Sequence, residues 1–181
     1  MSTLLLLFLS VWAVQDEEAP VIKQLRSGVV LEIPKKWTET KPKSKLRLAQ
    51  FSVSDPKKEA GNAELVIFYF GRSGGGSTEA NIDRWISQFD GATRETTKIT
   101  NFETKGKLKA TLVDLTGTFV AETQPGSGER QNEEGTRMIA AILETPAGNH
   151  YLKLVGPSHT VSRWKEAFIL LVKKSKIREE E

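Results

Sequence analysis

Hydrophobic and polar positions alternate along much of this chain, and the alternation predicts several short strands. The stretches GVVLEIPKKW and KLRLAQFSV have the pattern of half-buried strands. The alternation in the second stretch slips near Ala49 and Gln50, which predicts a β-bulge there. The run AELVIFYF is almost continuously apolar and rich in β-branched and aromatic residues, so we expect a central strand that is covered on both faces.

The segment after the glycine cluster GRSGGGST has the spacing of an amphipathic helix. Ser77 or Thr78 can provide the side-chain oxygen that caps its first turn. Apolar residues recur on one face at Ile82, Trp85, Ile86 and Phe89. We therefore expect a helix over 80–89 with this face buried, and we assign its tryptophan to the core rather than to a ligand platform.

The second half of the chain predicts two hairpins and a terminal helix. The first hairpin covers 96–120 and turns at TKGK, and the second is MIAAILETPAGNHYLKLVG, turning at 146–149. The polar segment 122–135 between them predicts a mobile loop. The last stretch, GPSHTVSRWKEAFILLVKKSK, predicts a helix with lysines at its C-terminal end and an apolar stripe formed by Val161, Trp164, Phe168 and Leu171.

This order of elements predicts an α+β fold with a largely antiparallel sheet flanked by helices. Hairpins join antiparallel neighbours, and each predicted helix has one apolar face that must pack against the sheet. Asp114, Thr116 and Thr118 are expected on one face of their strand, opposite Val113 and Leu115.

The N-terminus MSTLLLLFLSVWAVQDEEAP predicts a secretory signal peptide. Its apolar run is shorter than the roughly 20 residues that a membrane span needs, and acidic residues follow it. An uncleaved anchor or an ordinary first strand are the alternatives. The resulting division is a signal peptide at 1–15, an acidic spacer at 16–27, a single domain at 28–176 and a charged tail at 177–181. We expect an exported protein, periplasmic or secreted, with no stable membrane span after processing.

Composition removes several classes of chemistry. The chain has no cysteine and only two histidines, so it offers no disulfide, no thiolate metal site and no cysteine nucleophile. No cofactor, metal ligand or catalytic residue is assigned. The net charge is +3, and basic residues gather over 35–58. We interpret them as a solvated loop and edge strand and expect no nucleic-acid partner, because the interleaved aromatic residues of such a surface are missing.

The order of elements, the opening IPKKW and the closing YLKLVGPSHTVSRWKEAFILLV resemble the PsbP-like fold. That sandwich is shared by photosystem accessory subunits and a Ran-binding import factor. The pattern FYFG, GGS, ANI, RW and QF over 68–89 also resembles exported bacterial proteins of unassigned function. The resemblance implies a scaffold that binds proteins or ligands, usually without catalysis, and it provides no catalytic residue.

The glycine loop admits a phosphate-binding interpretation. GRSGGGST matches the glycine spacing of a Walker-type loop and lies between a strand and a helix. However, Ser77 stands where the phosphate-binding lysine belongs, and Asp114 falls in a hairpin strand rather than a parallel neighbour. Nucleotide hydrolysis is therefore not favoured.

The same loop also spells the G-x-S-x-G pattern of a serine hydrolase. Ser73 is the central serine, and Asp114 and then His150 or His159 follow in the order of an α/β-hydrolase. Several flexible residues separate the serine from the helix, and the antiparallel sheet does not suit that fold. His159 has no carboxylate partner that the sequence identifies, and it is interpreted as a capping or surface histidine.

A structural role for the loop requires no further assumption, since glycines permit the turn and a hydroxyl caps the helix. Weak anion binding by free amides remains open. Its candidate residues are Arg72, Ser73, Gly75, Gly76, Ser77 and Thr78. We expect an exported, non-enzymatic accessory or binding domain whose partner is an unknown protein or small ligand. The alternative is a small serine hydrolase using Ser73.

Overall fold

The structure is a computed structural model that describes residues 19–122 and 130–178. The signal peptide expected at 1–15 lies outside the described residues. So do the first three residues of the acidic spacer and the last three of the charged tail.

The described residues form ten strands and two helices. In chain order they are β1 (Val21–Gln24), β2 (Val29–Ile33), β3 (Trp37–Glu39), β4 (Arg47–Val53), β5 (Ala63–Tyr69), α1 (Thr78–Ile86), β6 (Lys98–Glu103), β7 (Lys109–Glu122), β8 (Arg130–Glu144), β9 (His150–Pro157), α2 (Ser158–Lys174) and β10 (Lys176–Ile177).

Two antiparallel sheets organise these elements. The larger has seven strands in the order β3-β4-β5-β9-β8-β7-β6, and the smaller has three in the order β1-β2-β10. Every paired neighbour is antiparallel. The expected α+β fold with helices against an antiparallel sheet is therefore confirmed.

Both predicted hairpins are present. β6 pairs with β7 around the TKGK turn, and in the second hairpin Ile139 lies opposite Leu154 and Leu143 opposite His150. The register of β4 against β5 shifts between Arg47 and Ala49, which confirms the predicted bulge. β5 lies between β4 and β9, which confirms the expected central strand. Its expected burial on both faces is wrong in part, because Glu64 and Phe68 on the α1 side are only half-buried.

The prediction of a loop over 122–135 is wrong for residues 130–135. β8 begins at Arg130, and Asn132 pairs with Val120 of β7. The long neighbouring strand supplies backbone hydrogen-bond partners, so a polar segment without an apolar pattern still extends the ladder. Residues 123–129 lie outside the described part of the chain.

Three short strands were also missed. β1 lies inside the expected spacer and pairs with β2, β3 pairs with β4 at the edge of the large sheet, and β10 pairs with the other edge of β2. The terminal helix consequently ends at Lys174, and Lys176 belongs to β10 rather than to the helix end. Strands of two to four residues carry too little periodicity to be recognised, because only their pairing partners stabilise them.

The seven-stranded sheet separates two apolar cores. α2 and the small sheet pack on one face, where Leu31, Ile67, Leu152 and Phe168 are fully buried. α1 packs on the other face through Ile82, Trp85, Ile86 and Phe89, together with inward residues of β7, β8 and β9. The predicted helix face is therefore buried as expected, although the helix itself covers 78–86 and Phe89 lies in the turn beyond it.

Trp37 and Trp164 pack against each other in the core on the α2 side of the sheet. Trp37 is 4% exposed, and its ring lies 5.8 Å from that of Trp164 in an edge-to-face contact. The Trp164 indole Nε1 donates to the Ser54 carbonyl at 2.7 Å. Among the described residues, neither helix is long and apolar enough to cross a membrane.

A charged network joins α2 to the sheet. Arg137 of β8 donates two hydrogen bonds to the Asp114 carboxylate, at 2.8 and 2.7 Å, and Lys165 of α2 adds a third at 3.1 Å. Burial raises the pKa of the Asp114 carboxyl, but the hydrogen bonds from Arg137 and Lys165 outweigh it, so the pKa is lowered overall. The carboxylate is therefore stabilised in its charged form beneath the helix.

Replacing Asp114 with Asn should lower the free energy of unfolding by about 2 kcal/mol at pH 7, measured by urea denaturation. The loss follows from leaving Arg137 without its carboxylate in a partly buried place. Asp83→Asn is the matched control, because Asp83 pairs with Arg94 at the surface and should cost no more than about 0.5 kcal/mol. Equal losses in the two variants would contradict this assignment.

Candidate functional site

The glycine loop between β5 and α1 makes a tight turn and caps the helix. Ser77 is the N-cap, and its Oγ accepts a hydrogen bond from the Ala80 amide at 3.1 Å. The Gly75 carbonyl accepts from Asn81 Nδ2 at 2.7 Å, and the Gly76 carbonyl accepts from the Tyr151 hydroxyl at 3.1 Å. The loop is thus fastened both to its own helix and to β9.

Glycine is required in this loop by conformation and by space. Gly75 has a φ of +86°, and a Cβ placed there would lie 2.6 Å from the Tyr151 hydroxyl oxygen. A Cβ on Gly74 would lie 2.0 Å from the Phe70 carbonyl oxygen. These contacts account for the glycines by close packing, in agreement with the structural interpretation of the loop.

The predicted ligand residues of the loop differ in what they contact. Arg72 and Ser73 are exposed, whereas Ser77 is occupied as the helix cap. Thr78 donates to the Glu144 carboxylate at 3.3 Å. That negative charge disfavours a second anion beside it. Anion binding at this loop stays a prediction.

The residues of the hydrolase hypothesis have separate partners. Asp114 lies in the network under α2, and the strand register places it opposite Ile139 and Leu154, four residues along β9 from His150. Two strand spacings and four residues correspond to about 16 Å between the Cα atoms of Asp114 and His150. The described contacts therefore give no support to a Ser73, Asp114 and His150 triad.

His159 is a surface histidine, as expected, and it also has a carboxylate partner that the sequence did not identify. Its Nε2 lies 3.1 Å from Glu59 Oε2, which also accepts from Arg163 at 2.7 Å. The sequence does not reveal this pair, because Glu59 lies in the loop before β5 and the histidine lies 100 residues later in α2.

This pair is part of a small cluster of titratable side chains. The cluster consists of Asp55, Glu59 and His159, and one carboxylate oxygen or ring nitrogen from each lies within 4.8 Å of the others. The Asp55 carboxylate accepts backbone amides of its own loop at 2.7 and 2.9 Å, and Arg163 contacts both carboxylates. The guanidinium therefore supplies the positive charge of this cluster. The cluster fastens the loop before β5 to α2.

His150 contacts a serine that the sequence analysis did not single out. Its Nε2 lies 2.6 Å from the hydroxyl oxygen of Ser27, in the turn between β1 and β2, and its Nδ1 lies 3.2 Å from the Gly148 carbonyl oxygen. The imidazole also stacks on Tyr69, with ring centroids 4.7 Å apart. No sequence motif links positions 27 and 150, and only the fold brings the small sheet to the start of β9.

Electrostatics at His150 favour a structural role. The residue is fully buried, and burial lowers its pKa to about 4, although the hydrogen bond to Gly148 acts in the opposite direction. The imidazole is neutral at pH 7, and its low basicity makes it a weak proton acceptor for Ser27. The pair holds the turn of the small sheet against the main sheet.

The open face is the part of the seven-stranded sheet that α1 leaves uncovered. We define it by the residues of β4 and β5 that point to the α1 side, which are Arg47, Gln50, Ser52, Glu64, Val66 and Phe68. α1 has nine residues and packs over β7, β8 and the adjoining part of β9. A groove of about 410 Å³ beside β3 is lined by residues of this face together with Lys41 and Lys43.

A polar network crosses the open face. Gln50 is 3% exposed, accepts from Arg47 at 2.8 Å and donates to Glu64 at 2.8 Å. Arg47 and Lys43 also contact the Glu64 carboxylate, at 3.1 and 3.0 Å. The Arg47 guanidinium carbon lies 5.7 Å from the centre of the Phe68 ring. This face is therefore ordered by hydrogen bonds and charge rather than by apolar packing.

Lys153 lies where the open face meets α1. In β9 it is paired with Val66 on one side and Ala140 on the other, so its side chain shares the α1 side of the sheet. Its Nζ donates to Gln88 Oε1 at 2.9 Å. Burial lowers the pKa of the ammonium to about 8, and the positive charges of Arg47 and Arg84 act in the same direction. Perturbed groups of this kind concentrate at functional sites.

Comparisons with known proteins support the fold and leave the site unassigned. No protein-family model and no curated protein matched the sequence. The solution structure of cyanobacterial PsbP (CyanoP) from Synechocystis sp. PCC 6803 is similar with a TM-score of 0.53 at 10% identity, covering 94% of this chain and 99% of that one. A crystal structure from Bacteroides thetaiotaomicron, with a TM-score of 0.44 and 13% identity, covers 91% of this chain and 50% of that one. The chain has a PsbP-like fold.

Ser77→Ala should lower the free energy of unfolding by about 1 kcal/mol, because the Ala80 amide loses its cap. Ser73→Ala should leave both stability and background ester hydrolysis unchanged, since this exposed side chain does not cap the helix. Thermal and urea unfolding of the two variants provide the measurement. A larger loss in Ser73→Ala than in Ser77→Ala would reverse the roles assigned to the loop.

The buried imidazole should make stability depend on pH. The folded pKa of His150 is about 4 and its ordinary value is 6.5, so unfolding binds a proton between these values. We expect His150 to contribute fully to the free energy of unfolding above pH 6.5. That free energy should fall by up to about 3 kcal/mol as the pH falls to 4. Urea denaturation of the wild type and of His150→Gln measures it. Parallel pH profiles for the two proteins would show that another group is responsible.

Proposed function

We propose that the chain is an exported, non-enzymatic accessory or binding domain and that the open face is its partner surface. One observation carries the proposal. α1 covers only half of its side of the sheet, and the other half is an ordered, polar and partly aromatic surface, beside which Lys41 and Lys43 add positive charge. Such a surface suits a partner that carries negative charge.

The contacts of the residues named in the hydrolase alternative support a binding role over that alternative. Asp114 is hydrogen-bonded to Arg137 and Lys165, and His150 contacts Ser27. These side chains connect elements of the fold. Among the residues that the structure describes, no contact favours Ser73 as a nucleophile.

Export rests on the leader sequence, and it is tested together with the binding surface. The full chain is expressed in its own cell type with a C-terminal tag, and the exported fraction is cross-linked and recovered. Mass spectrometry should find a new N-terminus between Val14 and Glu18. Recovery of the protein with Met1 intact in the cytoplasmic fraction would refute export without bearing on the binding surface.

The partner surface is tested with charge-reversal variants of matched type. Lys41→Glu with Lys43→Glu should abolish cross-linking to the partner, because both lysines line the groove of the open face. Lys98→Glu with Lys109→Glu changes exposed residues of β6 and β7 and should leave capture intact. Equal capture by both double variants, with unchanged unfolding curves, would place the partner surface elsewhere. Ester hydrolysis that Ser73→Ala removes would overturn the non-enzymatic assignment.

A further inference from the structure

The side chains around Lys153 form a cationic cluster, which we call the Lys153 cluster and define as Arg47, Arg84, Gln88 and Lys153. An ammonium has three N–H donors, and the hydrogen bond that the structure gives Lys153 goes to the neutral Gln88 amide oxygen. Among the residues that the structure describes, no carboxylate lies within ion-pair distance of its Nζ. A partly buried ammonium without a negative partner is costly to keep charged.

The fold brings these groups together from three elements. Arg84 and Gln88 are four residues apart, at the end of α1 and in the turn after it, and therefore lie on the same side. The Gln88 carbonyl accepts from the Val120 amide at 2.7 Å, which fixes the position of that turn against β7. Arg47 reaches in from β4, with its guanidinium over the Phe68 ring.

Little negative charge accompanies the two arginines. Arg84 donates to the neutral Asn81 side chain at 3.0 Å. Arg47 shares the carboxylate of Glu64 with Lys43. Positive charge therefore exceeds negative charge around Lys153, in a place where the sheet and α1 limit the access of water and strengthen electrostatic interactions.

We propose that the Lys153 cluster binds one anionic oxygen group of a ligand, a carboxylate or a phosphate, at the boundary between α1 and the open face. The proposal deepens the proposed function and rests on it, because the cluster adjoins the surface assigned to the partner. The anion would accept the remaining N–H donors of Lys153 and offset the repulsion from Arg47 and Arg84.

Titration of the purified chain with sodium acetate and with sodium phosphate tests this site without any partner. Sodium chloride at the same ionic strength is the reference. We expect chemical-shift changes at the Lys153 side chain and the Gln88 amide, together with a higher melting temperature. The arm with the lower Kd identifies the source of the anionic group as a carboxylate or a phosphate. No response in either arm beyond that in chloride would overturn the proposal.

Three variants separate the site from general stability. Lys153→Met keeps the long apolar stem and removes the charge, so it should weaken anion binding by at least about tenfold. Lys153→Arg keeps the charge and should retain binding. Lys98→Met removes an exposed lysine of β6 and should behave as the wild type. Binding that survives in folded Lys153→Met would contradict the proposal.

Gln88→Glu provides the complementary test. This nearly isosteric change places a carboxylate on the ammonium that Gln88 now contacts at 2.9 Å. It should raise the melting temperature and abolish the response to added anions, because the variant carries its own anionic group. A lower melting temperature with retained anion binding would refute the proposal. A chain that binds acetate or phosphate but recovers no partner would instead refute the proposed function while leaving the anion site intact.

Discussion

A seven-stranded sheet has two faces, and each must be covered by apolar side chains or made compatible with water. The 17-residue α2 and the small sheet cover one face across β4, β5, β9, β8 and β7. On the other face α1 is only nine residues long and covers about half of the strands. Most side chains of β4 and β5 that point to this side are therefore polar, and Arg47, Gln50 and Glu64 satisfy one another through ion pairs and hydrogen bonds. The candidate site is a consequence of this unequal coverage.

The lowered pKa of Lys153 arises at the boundary between the half of the sheet that α1 covers and the half that it leaves open. Tyr151 and Lys153 are next to each other on the same side of β9, yet Tyr151 is buried under Trp85 and the glycine loop, whereas Lys153 borders the open face. A lysine at such a boundary keeps its apolar stem against the sheet but loses much of the water around its ammonium. Arg47 and Arg84 then add positive charge, which makes this point of the surface attractive to an anion.

Contacts distant in sequence hold the remaining elements in place, and they use residues that resemble catalytic groups. His150 with Ser27 fastens the small sheet, Asp114 with Arg137 and Lys165 fastens α2, and Glu59 with His159 fastens the loop before β5. The first two contacts satisfy buried or partly buried polar groups where elements meet. The Glu59–His159 pair lies at the surface. Assembly of the fold therefore explains five of the residues that resemble catalytic groups: Ser27, Glu59, Asp114, His150 and His159.

The sequence by itself determined the elements that have enough residues to show a period: the central run of β5, the apolar face through Ile82 and Trp85, and the two hairpins. It also identified Ser77 or Thr78 as the helix cap, because capping is a local interaction. It could not determine β1, β10 or the extension of β8 through Arg130, since those segments become strands only beside a partner. Nor could it reveal Lys153, which appears in the sequence as one lysine within a hairpin strand. Only the tertiary structure decided that Gln88, Arg84 and Arg47 surround that ammonium, because its environment is set by strand order and by the short length of α1.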